Sequence, residues 1–215
     1  MDKKLGVAIH GAGGVAFAHA ASWLRNPHVQ IVSVSSRRRE SAQRLADEFK
    51  LGCPVRDNFD EVLADPAVDV VNISGPNQVH TPQGIAAAQA GKHILVEKPM
   101  ALTRDENRAL RDAVARAGVK SVVSFVLRWN PLLETLRSLL SGGAIGELLD
   151  IEVDYWHGIG TWYSGWEWAH TFKTGGSATL LAGCHALDAL RFLAGREVVE
   201  VSAMSNNKKQ LYEFD

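Results

Sequence analysis

The chain has 215 residues, 46% of them hydrophobic, and its 23 basic and 24 acidic side chains leave a formal net charge of −1. That length buries the core of one large domain or of one and a half ordinary ones, and the balanced, interspersed charge speaks against nucleic acid or an anionic membrane as partner. No apolar run reaches the length of a membrane span, Met1-Asp2-Lys3-Lys4 leads into a strand-like run rather than a signal peptide, and Cys53 and Cys184 show no metal spacing, so a cytoplasmic protein with free thiols is expected.

Leu5 to Ile9 reads as a buried strand that runs into His10-Gly11-Ala12-Gly13-Gly14-Val15-Ala16 and then a helical pattern to about Leu24. Gly11-x-Gly13-x-x-Ala16 follows the dinucleotide-binding spacing: one glycine for the tight turn, one for close approach of a pyrophosphate, and a small residue for packing helix on strand. The N-terminus of such a helix offers unpaired N–H groups to phosphates. The second predicted strand, Gln30 to Val34, ends where an NAD site would place an acid for the ribose diol. Ser35-Ser36-Arg37-Arg38-Arg39 stands there instead, and guanidinium forks suit a 2′-phosphate, so NADP is expected ahead of NAD. The following helix, with Ala42, Leu45, Ala46 and Phe49 on one face, is expected to stop near Gly52.

Asn58 has the look of a helix cap, Val68 to Ser74 reads as a strand, and Gly75-Pro76-Asn77-Gln78-Val79-His80 forms the loop at its carboxyl end. Thr81 is expected to cap a helix that starts at Pro82 and ends at Gly91. The run Ile94-Leu95-Val96 suits a strand buried on both faces, and it stops abruptly at Glu97-Lys98-Pro99. Ligands bind at the carboxyl rim of an open parallel sheet, which places Lys98 for chemistry; the alternative is an ordinary lysine in a surface turn. Thr103-x-x-Glu106 is a capping box that opens a helix ended by Gly118, before a strand from Ser121 to Val126. Alternating strands and helices without hairpin signals predict an α/β fold, a doubly wound parallel sheet over residues 1–125.

A second, α+β domain is expected over residues 126–215. Arg128-Trp129-Asn130-Pro131 leads into an amphipathic helix carrying Leu132, Leu133, Leu136, Leu139 and Leu140, and Leu148 to Tyr155 alternates as a strand with one buried face. The loop from Trp156 to Trp168 also holds Trp162 and Trp166; such rings either stack on a sugar or pack the loop onto a small core. Gly175-Gly176 precedes a helical run that puts His185 and Asp188 on one face and ends at Gly195. Cys184 and His185 are adjacent and diverge on a helix, so no metal is expected.

With the glycine turn, Pro76-Asn77-x-x-His80, Glu97-Lys98-Pro99 and His185-x-x-Asp188 in this order, the sequence resembles the glucose-fructose oxidoreductase, inositol dehydrogenase and MocA family over nearly its whole length. The resemblance implies an N-terminal Rossmann domain and a partial α+β C-terminal domain often used for oligomer contacts. It also implies a nicotinamide cofactor and a sugar, polyol or related small molecule as substrate. Lys98 would then lie beside nicotinamide and substrate, and His185 would act as acid and base on the reacting hydroxyl. The implied cofactor groove comprises Gly11, Ala12, Gly13, Gly14 and Val15 at the pyrophosphate and Ser36, Arg37 and Arg38 at the adenosine ribose. Gly75, Pro76, Asn77, His80, Glu97, Lys98 and Arg128 would line the rest, and Trp162 would join Lys98 and His185 on the substrate side.

Two departures stand out. Leu181 lies four residues before His185, where many members carry a substrate-binding aspartate, and the chain stops at Asp215, where family chains continue. Only the first part of the second domain is expected; a fragment, a truncated reading frame or an assembly that covers the open strand edges would each account for it. Beside a sugar or polyol oxidoreductase, two other readings stand. One is a glycoside hydrolase on the same scaffold, in which tightly held nicotinamide is not consumed; the other is a catalytically silent binding protein.

Overall fold

The computed structural model describes residues 3–208 and 210–214. They form two compact units that meet in sequence between Val123 and Ser124.

In the first unit, β1 (Leu5–His10), β2 (Val29–Ser35), β3 (Val55–Arg56), β4 (Val70–Ile73), β5 (His93–Val96) and β6 (Ser121–Val123) make one sheet in the order β3-β2-β1-β4-β5-β6. Every pairing is parallel. Parallel neighbours need crossovers, supplied by α1 (Gly14–Arg25), α2 (Arg39–Glu48), α3 (Phe59–Ala64), α4 (Asn77–Gln89) and α5 (Arg104–Ala117). Helices on both faces explain why the strands read as mainly apolar runs: successive side chains point to opposite faces, and both are covered. Val7 and Ile9 pack with Ala16, Ala20 and Leu45 on one face, while Ala8, Val71 and Val96 pack with Val62 and Ala113 on the other. Strand order reverses between β1 and β4, so the crevice of this doubly wound sheet opens at their carboxyl ends.

Several boundaries follow from local chemistry. Thr103 and Glu106 exchange hydrogen bonds of 3.1 and 3.0 Å at the start of α5, Gly118 ends it at φ 66°, and the Asn58 side chain accepts the Asp60 N–H at 2.8 Å. α4 begins at Asn77, not at Thr81: extended Pro76 precedes it, and Pro82 lies in its second turn, where one helical hydrogen bond is forgone. Thr81 caps nothing; its hydroxyl donates to the Met100 carbonyl at 3.1 Å. α2 stops at Glu48, short of Gly52, because Lys50 takes up a left-handed φ of 51°.

The second unit carries a 3₁₀ turn (Val126–Trp129), α6 (Pro131–Ser141), α7 (Trp166–Ala169), α8 (Phe172–Gly175), a π-helical stretch (Thr179–Gly183) and α9 (Cys184–Ala194). The expected strand from Leu148 to Tyr155 does not form. Its alternation survives in half-buried Ile151 and Val153 against exposed Glu152 and Asp154, yet no strand among the described residues pairs with it. A strand exists only through a ladder to a neighbour, which side-chain alternation does not supply. A small core of Ala169, Leu181 and Phe214 holds this unit together. Among the described residues no helix is long and apolar enough to cross a membrane.

Candidate functional site

β1 delivers the chain into Gly11 at φ 95°, a conformation that disfavours any side chain. The Gly11 N–H donates to the Ser35 carbonyl at 2.8 Å, and the Ser74 hydroxyl donates to the Gly11 carbonyl at 2.9 Å. The turn is thereby fastened to the carboxyl ends of both β2 and β4. Gly13 and Gly14 differ from Gly11: a Cβ at either would meet nothing within 4 Å, and the N-terminus of α1 has no side-chain cap. An open cradle before an uncapped helix of 12 residues fits the pyrophosphate of a dinucleotide. Ala12 is buried beneath this turn, and Val15 stands exposed on the first turn of the helix.

At the far side of the crevice, Ser36 follows β2 half-buried with its N–H on the Arg56 carbonyl at 3.3 Å, and Arg37 and Arg38 are exposed next to it. Sequence reasoning passed over His10, the last residue of β1. Its Nδ1 lies 2.7 Å from Ser35 Oγ and its Nε2 lies 2.9 Å from Gln83 Nε2; burial pushes its pKa down to about 4, so the ring is neutral.

Gly75 and Pro76 lead into Asn77, the buried first residue of α4. His80 is expected to line the groove but is 1% exposed. Its Nδ1 lies 2.7 Å from the Pro99 carbonyl oxygen and its Nε2 lies 2.9 Å from that of Gly75, so the ring sits between the loop after β4 and the turn after β5. Burial lowers its pKa, against the opposing pull of these carbonyls and of Glu97. Lys98 follows β5 half-buried, and the Lys98–Pro99 peptide bond is cis.

Glu97 is nearly buried and leads to a cluster that sequence reasoning missed. Its Oε1 lies 2.9 Å from His19 Nε2, His19 Nδ1 lies 2.6 Å from Asn72 Oδ1, and Trp23 Nε1 donates to that same oxygen at 2.8 Å. Burial lowers the His19 pKa, but the hydrogen bonds to Glu97 and Asn72 and the Glu97 charge outweigh it and hold the ring above the ordinary histidine value. One signal was visible beforehand: Asn72 interrupts the apolar strand Val70-Val71-Asn72-Ile73, and a polar side chain inside a buried strand requires partners.

Arg128, Trp162 and His185 belong to the second unit. His185 is half-buried at the junction where the π-helical stretch passes into α9, a kind of irregularity frequent at functional sites, and it faces the rings of Phe125 at 6.2 Å and Tyr155 at 6.3 Å. Asp188, three residues on from His185, is held by Arg128. Arg128 grips it with Nε to Oδ2 at 2.8 Å and Nη2 to Oδ1 at 2.6 Å, which ties the turn before α6 to α9 and raises the arginine pKa further. Leu181 lines a cavity of about 320 Å³ together with Tyr155, His157, Thr179 and Tyr212. The loop tryptophans divide: Trp166 stacks on His170 and Trp168 meets Tyr163 edge-on, whereas Trp156 and Trp162 are 95% and 75% exposed.

This geometry agrees with the comparisons. Residues 5–125 match a family described as an oxidoreductase family with an NAD-binding Rossmann fold, and residues 133–215 match the C-terminal domain of the same family. The scyllo-inositol 2-dehydrogenase (NAD(+)) of Bacillus subtilis (strain 168) is 30% identical over 203 residues, which cover 94% of this chain and 57% of that enzyme. A solved levoglucosan dehydrogenase in complex with NADH and levoglucosan is 28% identical with a TM-score of 0.78 over 90% of this chain and 54% of the other. A 3-ketoreductase from Actinomadura kijaniata in complex with NADP is 25% identical with a TM-score of 0.61, over 67% of this chain and 46% of the other. The chain thus spans about half the length of the relatives it matches. With its six-stranded order, its glycine cradle and a family match over more than half of its residues, the chain belongs to the glucose-fructose oxidoreductase, inositol dehydrogenase and MocA family of oxidoreductases.

Proposed function

We propose that the chain serves an NAD(P)-dependent dehydrogenase or reductase acting on a CH–OH group of a sugar, polyol or related small molecule. The observation that carries this reading is the open Gly13–Gly14 cradle before the uncapped α1. A bound nicotinamide would supply the hydride chemistry. The chain's own groups do the rest: the N–H groups at the start of α1 hold the pyrophosphate, and Ser36, Arg37 and Arg38 hold the adenosine ribose and its 2′-phosphate. Lys98 hydrogen-bonds the reacting oxygen, and His185 takes or returns its proton, the acid–base role open to an imidazole. Glu97 and His80 act through the positions of Lys98 and of the loop after β4. Arg128, whose fork already grips Asp188, acts by anchoring α9, the helix of His185. Exposed Trp162 offers a ring face to the substrate. Self-association through the second unit completes the reading.

Fluorescence titration with NADPH and NADH tests it. The protein is expected to bind NADPH more tightly, and Arg37→Ala with Arg38→Ala is expected to erase the difference. A clear preference of the unaltered protein for NADH overturns the role given to the arginines, and failure to bind either dinucleotide overturns the whole reading.

A further inference from the structure

The cavity of about 320 Å³ in the second unit lies next to His185. Tyr155 joins the two: it lines the cavity, and its ring centroid is 6.3 Å from that of His185. Gly183, two residues before His185, lines it as well. An apolar cavity of about 150 Å³ already admits a benzene molecule, so this volume holds a six-membered ring with its substituents. The wall is mostly carbon. Ile159, Leu181 and Ala182 contribute aliphatic groups, and the rings of Tyr155 and His157 stand parallel within 2° at 5.6 Å. Tyr212 adds a third ring, whose hydroxyl is already engaged as donor to the Ile159 carbonyl. Among the described residues no carboxylate, side-chain amide, lysine or arginine lines the cavity. A sugar hydroxyl placed here would exchange water for few partners, whereas an aryl or alkyl group has no partners to lose.

We propose that this cavity is a subsite for an apolar substituent of the substrate, an aryl or alkyl group carried near the reacting carbon, and that Leu181 is the residue that selects it. The preference for an apolar occupant stands on the lining; that the occupant belongs to the substrate rests on the function proposed above, with His185 at the reacting hydroxyl. Leu181 is 5% exposed and packs with Ala169 and Phe214, which hold it in the wall. A polar side chain at this position would offer a hydrogen bond where hydrocarbon now lies and so favour a hydroxyl instead. The substrate class follows: an alkyl or aryl glycoside or ether, rather than a free sugar or polyol.

Ligand-observed ¹H NMR titration of the whole chain tests this with matched pairs: glucose, galactose and xylose, each as the free sugar and as its phenyl β-glycoside. In each pair the glycoside is expected to bind about tenfold more tightly or better, because its aryl ring leaves water for the cavity. Leu181→Asn is expected to shrink that gain to about threefold or less. Thr179→Phe, which fills the cavity from an exposed position of its wall, should do the same. No gain in any pair overturns the proposal. So does a gain that either variant retains once its thermal melt shows it folded, since the aryl group would then sit elsewhere, as on exposed Trp156 or Trp162. If Leu181→Asn does not fold, Thr179→Phe decides. NADPH titration of the unaltered protein keeps the two readings apart: dinucleotide binding without an aryl gain refutes the subsite alone, and an aryl gain without dinucleotide binding refutes the proposed function.

Discussion

Gly11 and Gly75 meet backbone to backbone: a Cβ on Gly11 would lie 2.5 Å from the Gly75 nitrogen. Gly11→Ala therefore forces a rigid neighbour aside at a left-handed φ and is expected to cost about 3 kcal/mol or more, read by urea denaturation. Gly13→Ala meets nothing within 4 Å and is expected to fold with a loss of about 1 kcal/mol at most, yet to weaken NADPH about tenfold or more because its methyl fills the phosphate cradle. Equal stability losses in the two variants would show that the cradle is an ordinary turn.

Lys98→Ala is expected to abolish hydride transfer while leaving dinucleotide affinity within about threefold, since an interaction made mainly with the reacting oxygen stabilises the transition state rather than the bound cofactor. His185→Asn should lower turnover by about 10² to 10⁴. Stopped-flow absorbance of the reduced nicotinamide, with a panel of sugars and polyols, supplies the measurement. Unchanged turnover in Lys98→Ala would remove it from the reaction.

Asp188 is 6% exposed and its Arg128 partner is 42% exposed, so solvent screens one end of the pair. Asp188→Asn keeps the shape and removes the charge, and a loss of about 1 to 2 kcal/mol is expected, less than a fully buried pair would cost. Asp188→Ala should lose more and loosen α9, seen as faster amide hydrogen exchange around His185.

His10 carries a pH signature. Its folded pKa of about 4 lies below the ordinary value of 6.5, so the unfolded chain binds the proton more readily. Its contribution is complete above pH 6.5 and shrinks as pH falls toward 4, by on the order of 3 kcal/mol in all. His19, with its raised pKa, has the opposite sign: its contribution is full below the ordinary value and fades as pH climbs through the folded value. Urea midpoints at pH 7 and pH 5 should therefore fall further for the unaltered protein than for His10→Gln; parallel falls would contradict the assignment.

The first unit was legible because its devices are local. An apolar run covered on both faces, a capping box at Thr103 and a glycine turn after β1 each occupy a few consecutive residues. β3, with two residues, is too short to show any alternation. The pairing of His19 with Glu97 spans 78 positions and that of Arg128 with Asp188 spans 60, and no local pattern announces either. Leu148 to Tyr155 failed for the complementary reason: its own residues suit a strand, but the partner that would make it one is a property of the surroundings. His80 was expected to line the groove, yet it is buried against two backbone carbonyls, because a motif conveys the identity of a side chain and not the direction in which it points.

Both partners of His80 are main-chain carbonyls, those of Gly75 and Pro99. The ring thus lies between the main chains of the loop after β4 and the turn after β5, whatever side chains either displays. Replacing side chains along these two segments is therefore expected to leave the seat of the ring in place, because it rests on backbone atoms alone.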